Sequence, residues 1–280
     1  MTTFSFEYFP AKTDKGDMRL LDTAASLADK KPSFMTVTYG AGGSTKDGTL
    51  ATVTRLQNET GIPMAAHVTF INTEIPQLKD FADELWNSGI KRLVALRGDL
   101  PDDLSWPLDL EGNYFQYTSE FVAALKSWHD FDISVGAYPE KHPDAPSLAA
   151  DVKALRLKCV AGADRAITQF FFDNSVYYNF LDECEKAHIK TPIVPGLLPI
   201  HDFKSMLSFA KKCRATVPGE IRAKFEEVEN DTEGAKNLAR DLLCAQVEDL
   251  AKQGCPHIHF YTLNKSDIVD MACQSLSPAV

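Results

Sequence analysis

"FSFEYF", residues 4–9, decides how the rest of the chain is read. The run is short, aromatic-rich and closed by Pro10, the signature of a β-strand near the N-terminus. Its alternation puts Ser5, Glu7 and Phe9 on one face and Phe4, Phe6 and Tyr8 on the other. Seven further runs have the same character: "FMTVTYG" (34–40), "MAAHVTF" (64–70), "RLVALRG" (92–98), "ISVGAYP" (133–139), "AITQFFF" (166–172), "PIVPGLLPI" (192–200) and "HIHFYTL" (257–263). Amphipathic helical patterns lie between them, such as 75–89 and 148–163, the second carrying the Gly expected just past a helix C-terminus. Eight strands, each followed by a helical segment, is the count of a (βα)8 TIM-type barrel. A doubly wound open sheet shows the same alternation; the eight units and the lack of a GxGxxG turn favour the barrel. One barrel domain spanning residues 1–280 is expected.

Charge narrows the partners. A net charge of −10 argues against nucleic acid or an anionic membrane surface, which require a basic face. Any anionic ligand must then be held by local cations or backbone amides. No apolar run is long enough for a transmembrane helix, and no basic-then-apolar leader pattern opens the sequence. The six cysteines are widely spaced, without a CxxC pair, and no His/Cys spacing suggests a metal, so a reduced, cytoplasmic protein without a metal centre is expected. Residues 216–237 are polar and acidic; the head reads as a loop over the barrel mouth and the tail as the start of the next helix.

Polar residues on strands that should be buried on both sides carry the functional signal. Glu7, Thr38, His67, Asp99 just past the fourth strand, Tyr138 and Gln169 all fall near strand C-termini, the end where barrel enzymes assemble their sites. Any one of them is as well explained by core packing; six at corresponding positions are not. The loops add anion-binding chemistry. "YGAGGST" (39–45) leads into a helix with free backbone amides, and "LRGDLP" (96–101) combines a cation, a glycine and a carboxylate, with an Arg97–Asp99 surface pair as the plain alternative.

The blocks "FSFEYFPAKT", "TVTYGAGGST", "AHVTF", "VALRGDLP", "SVGAYPEKHPDA", "RAITQFFFD", "PGLLPI" and "HFYTLN" together resemble the flavin-dependent methylenetetrahydrofolate reductases, bacterial catalytic-domain type, in order from residue 4 to about 265. The resemblance implies a barrel that holds FAD at its strand C-termini. It also implies ping-pong chemistry in which NAD(P)H reduces the flavin and 5,10-methylenetetrahydrofolate then accepts hydride to become 5-methyltetrahydrofolate. A homo-oligomer with a small-molecule folate substrate is the corresponding expectation.

Carried onto matching positions, Glu7 is similar to the general acid and Asp99 to the carboxylate between flavin and pterin. Thr38, Tyr39, Ala41, His67, Arg97, Gly98, Tyr138, His142, Asp151 and Lys158 match cofactor contacts, with Tyr117 and Thr118 of "YFQYTSEF" beside the flavin. Gln169 resembles the residue that meets folate and nicotinamide. Three departures stand out. Lys265 replaces an Arg that would grip a carboxylate at two points. Phe225 is the one aromatic in 216–226 able to stack on a ligand ring. Ala154 and Leu157 replace polar contacts, with Arg156 substituting for one. These leave open an electron donor other than nicotinamide, a mainly oxidative direction, or a folate- or flavin-binding module serving a methyltransferase. Physically, a carboxylic acid among aromatics should have a raised pKa and donate near neutral pH, to the ring nitrogen that departs as the methylene bridge opens.

Overall fold

The computed structural model describes residues 2–39, 46–100 and 113–276. Strands and helices alternate from the start: β1 (Thr3–Tyr8), α1 (Asp14–Ala28), β2 (Phe34–Val37), α2 (Lys46–Thr60), β3 (Met64–Thr69), α3 (Ile75–Asn87), β4 (Arg92–Leu96), α4 (Thr118–Trp128), β5 (Asp132–Ala137), α5 (Leu148–Val160), β6 (Arg165–Thr168) and α6 (Asn174–Lys186). Then follow β7 (Ile193–Val194), β8 (Gly196–Leu197), α7 (Phe203–Cys213), α8 (Gly219–Glu227), α9 (Thr232–Lys252), β9 (His257–Tyr261) and α10 (Asp267–Ser275).

All strand pairs are parallel, in the order β7-β6-β5-β4-β3-β2-β1-β9-β8. The two ends of that order are one strand cut in two. β7 pairs with β6, β8 pairs with β9, and only Pro195 separates them. Proline has no N–H to give a ladder, so the pairing changes partner there; its carbonyl still accepts from His259 N–H at 2.9 Å. The seventh run of the sequence is therefore a strand split between two neighbours, and with it the sheet wraps into the expected (βα)8 barrel.

Side-chain alternation sorts the strands into two cores. Phe6, Tyr8, Met35, Val37, Ala66, Val68, Leu93, Ala95, Ile133, Val135, Ile258 and Phe260 are buried in the main apolar core, together with residues of the surrounding helices. The opposite parity points into the barrel, where a small separate cluster of Phe34, Ala65, Val94 and Leu96 packs. Ser5, Thr36, His67, Ser134 and His259 are buried as well.

Helix starts follow local chemistry. Thr13, Ser147, Asp173, Asp202 and Asp231 each accept a backbone N–H of the first turn of α1, α5, α6, α7 and α9. Past α5, Gly162 takes φ +117, the conformation its sequence position called for. One expectation is corrected: within the head of 216–237 only 216–218 are irregular, because Ile221 and Phe225 give the following residues a buried face and Gly219–Glu227 fold as α8.

Candidate active site

The strand C-termini surround a cleft of about 410 Å³. Eight of the residues singled out in the sequence line it: Glu7, Thr38, Tyr39, His67, Gly98, Asp99, Tyr138 and Gln169. They come from six different strands or the turns that follow them, which explains why no local motif reveals the set.

Glu7 sits on the floor. Its Oε2 lies 3.3 Å from His67 Nε2 and 3.5 Å from His259 Nε2, and its side chain is 18% exposed. Burial pushes its pKa up, but Coulombic attraction and hydrogen bonds from His67 and His259 outweigh that and hold it at about 2. The expectation of a raised pKa is thus reversed. The aromatic neighbours Phe6 and Tyr8 face the helix layer, whereas the face carrying Glu7 meets imidazoles.

His67 Nε2 also lies 3.3 Å from Thr36 Oγ1, and His259 Nδ1 lies 2.7 Å from Ser5 Oγ. Tyr261 closes the same side, donating its hydroxyl to Thr168 O at 2.7 Å. Burial, then the Glu7 charge, raises its pKa well above the ordinary phenol value, so it stays protonated.

At the rim, Gly98 has φ +96 and a Cβ there would stand 2.6 Å from Ile71 Cγ2, so only glycine carries the chain from β4 to Asp99. Arg97 ion-pairs with Asp144 at 2.8 Å, not with Asp99. Tyr138 packs edge-on against His142 with ring centroids 4.5 Å apart. Burial, followed by Asp151, pushes the Tyr138 phenol up to about 12. His142 is held neutral, its pKa lowered by burial and then by Arg97, and its backbone N–H donates to Asp151 Oδ2 at 2.7 Å. Lys158 donates to Gly136 O at 2.5 Å, and burial lowers its pKa against the pull of Asp151. Gln169 Oε1 accepts the Phe170 N–H at 3.0 Å, which fixes the carboxamide and leaves its nitrogen as the donating end. Thr38 Oγ1 is buried, lines the cleft and has no hydrogen-bond partner among the described residues.

Other sequence candidates lie elsewhere. Phe225 is buried in the core, stacked on Phe203 at 4.3 Å, and does not line the cleft. The phenylalanines that do are Phe170 and Phe209, stacked with ring centroids 5.2 Å apart, and Phe209 of α7 is 42% exposed. Arg156 is exposed on α5, and Lys265 is exposed after β9; neither lines the cleft. Tyr117 and Thr118 sit at the start of α4, where Tyr117 N–H donates to Glu120 at 3.1 Å. Ala41 and most of "YGAGGST" lie outside the described residues. His259 and Tyr261 were missed as site residues, although the alternation of "HIHFY" places both on the face of His257.

The arrangement offers a buried carboxylate between two imidazoles below, a carboxylate and a carboxamide at the rim, and apolar walls between. Among the described residues no group of His, Cys, Asp and Glu is placed to hold a metal ion, and no helix is long and apolar enough to cross a membrane.

Comparison with known proteins agrees over nearly the whole chain. The family model described as methylenetetrahydrofolate reductase matches residues 1–277. The 5,10-methylenetetrahydrofolate reductases of Salmonella typhimurium and Escherichia coli are each 39% identical over 272 residues, covering 97% of this chain and 90% of theirs. Methylenetetrahydrofolate reductase (NADH) 1 of Arabidopsis thaliana is 33% identical, over 94% of this chain and 46% of the plant protein. Among solved structures, a Clostridium thermocellum protein described as binding two copies of 5-methyl-5,6,7,8-tetrahydrofolic acid superposes with a TM-score of 0.65 at 13% identity, covering 98% of this chain and 93% of its own. At that identity the likeness speaks for the barrel fold. The sequence matches carry the assignment: this chain belongs to the methylenetetrahydrofolate reductase family of oxidoreductases.

Proposed function

We propose that this barrel, as one catalytic domain, reduces 5,10-methylenetetrahydrofolate to 5-methyltetrahydrofolate in a ping-pong cycle with FAD as cofactor and NAD(P)H as donor. The observation that carries the reading is Glu7 on the cleft floor between His67 and His259, below a rim bearing Asp99 and Gln169. A flavin bound in the cleft supplies hydride transfer between nicotinamide and folate.

The residues present fit such a group. Thr38 Oγ1 is a buried hydroxyl in need of a partner, and Gly98 leaves room that a side chain would fill. Thr38, Tyr39, His67, Gly98 and Tyr138 would hold the flavin ring, with Arg97, His142, Asp151 and Lys158 behind them. The folate would lie against Phe209 and Phe170, its pterin bonded by Asp99 and Gln169.

Opening the methylene bridge leaves negative charge on the departing nitrogen, which a proton from Glu7 neutralises. The depressed pKa of Glu7 does not oppose this role. His67 Nε2 and His259 Nε2 stand 3.3 and 3.5 Å from Glu7 Oε2, close enough for a proton to pass between imidazole and carboxylate. Ligand that fills the cleft excludes water, and in a drier site the neutral acid gains on the ion pair. Asp99, which lines the same cleft, orients the pterin and shapes the potential around the flavin.

The absorption spectrum of the purified, flavin-loaded protein, followed by anaerobic NADH or NADPH, tests the reading. Bleaching of the flavin bands and their return with methylenetetrahydrofolate is expected. No bleaching with either nucleotide removes the nicotinamide step, and bleached flavin that folate fails to reoxidise removes the folate step.

A further inference from the structure

The hydrogen bonds of Glu7 do not stop at His259. His259 Nδ1 lies 2.7 Å from Ser5 Oγ; the same Ser5 Oγ lies 2.9 Å from His257 Nε2; and His257 Nδ1 lies 2.6 Å from Thr3 Oγ1. Ser5 and His259 are fully buried, His257 is half-buried, and Thr3 is exposed. Residues 3, 5 and 7 of β1 and 257, 259 and 261 of β9 are register partners, so one strand pair carries the whole chain of groups along the barrel interior. It connects the cleft floor with solvent at the opposite, N-terminal end of the barrel. Every member is both a donor and an acceptor, as proton passage demands.

Resting on the reading of Glu7 as the acid, we propose that Glu7 is reprotonated through the barrel core, by a proton taken up at the N-terminal face and passed along Thr3, His257, Ser5 and His259. Thr3 gives its hydroxyl proton to His257 Nδ1 and takes one from water. His257 gives its Nε2 proton to Ser5 Oγ, Ser5 gives its own to His259 Nδ1, and His259 gives its Nε2 proton to the Glu7 carboxylate. One solvent proton is consumed, one carboxylate becomes an acid, and no electrons change hands. Rotation of the two hydroxyls and tautomer exchange of the two imidazoles restore the starting orientation.

The surroundings suit passage of a proton without storage of charge. Phe34 stacks on His257 at 5.5 Å and on His259 at 6.3 Å, walling the chain off from the other strands. Arg92 and Arg165, both paired with Asp132, lie over Phe34 at the same end. Burial, then His259, Arg165 and Arg92, push the His257 pKa down to about 3, which keeps that ring neutral. The path also answers a problem of access, because ligand in the cleft stands between Glu7 and the water of the mouth.

The test uses the flavin-loaded enzyme in stopped flow, with flavin reduction by NADH and reoxidation by methylenetetrahydrofolate measured separately in H₂O and D₂O. His257→Gln keeps a hydrogen-bonding side chain but has no tautomer to exchange; His257→Phe removes the bonds as well. Both should slow reoxidation at least tenfold, with a larger solvent isotope effect, and leave flavin reduction within twofold of wild type. Rescue by Gln would mean that His257 only supports the fold, and overturns the relay. Wild-type reoxidation and isotope effect in a folded His257→Phe overturn it too. Glu7→Gln separates the two levels: if it blocks reoxidation while the His257 variants do not, the relay alone fails. If Glu7→Gln reoxidises normally, the acid assignment fails and the relay falls with it.

Discussion

Glu7 Oε2 stands 3.3 Å from His67 Nε2 and 3.5 Å from His259 Nε2. In the ligand-free protein Glu7 should therefore titrate near 2, below the ordinary carboxylate range, despite its burial. His67→Asn removes one opposing charge while the burial remains, so the pKa should move up. Carbon-13 NMR of labelled glutamate carboxyls follows both. The depressed pKa also sets a stability window. The unfolded chain takes the proton first, so the contribution of the cluster is complete above about 4.5 and is lost as pH falls through about 2.

Phe209 and Phe225 separate ligand contact from core packing. Phe209→Ala should raise the KM for folate by roughly tenfold, the order of an aromatic stacking contact, and leave the melting temperature within a few degrees. Phe225→Ala removes a buried ring packed on Phe203 and should cost about 3–5 kcal/mol of stability. Paired steady-state kinetics and thermal melts check this; a kinetic defect confined to Phe225→Ala would reverse the assignment.

Thr38→Val preserves shape and deletes a buried hydroxyl without a partner among the described residues. The flavin-free protein should gain on the order of 1 kcal/mol, the cost of an unsatisfied buried polar group. Flavin affinity should drop several-fold. Calorimetric melts and a flavin titration read the two effects, and the opposite signs distinguish a ligand-facing hydroxyl from a structural one.

Gly98→Ala places a methyl group 2.6 Å from Ile71 Cγ2 on a backbone with φ +96. A loss of about 1–3 kcal/mol is expected from the backbone strain alone. Because Asp99 follows directly, folate reduction should suffer more than the stability loss accounts for; thermal melts and kcat/KM for folate provide the comparison.

Much of the site was legible because the barrel gives strands apolar surroundings on both faces. Against that background Glu7, His67, Tyr138 and Gln169 stood out, and the structure brings all of them to one cleft. The sign of the Glu7 shift was not legible. Phe6 and Tyr8 are its neighbours in sequence but lie on the other face of β1, while His67 and His259 come from β3 and β9. Distance along the chain hides such partners. Phe209 was hidden for a related reason: it sits in an amphipathic helix, α7, whose register against the barrel mouth depends on tertiary packing. The seventh run reads as one strand in the sequence; its split at Pro195 and change of pairing partner require the closed ring.

Reoxidation of the reduced, flavin-loaded Glu7→Gln variant by methylenetetrahydrofolate, followed anaerobically by stopped-flow absorbance, tests the central claim most directly. NADH should bleach the variant at close to the wild-type rate, and methylenetetrahydrofolate should then fail to restore the flavin bands. Return of those bands at the wild-type rate would contradict the assignment of Glu7 as the proton donor for folate reduction.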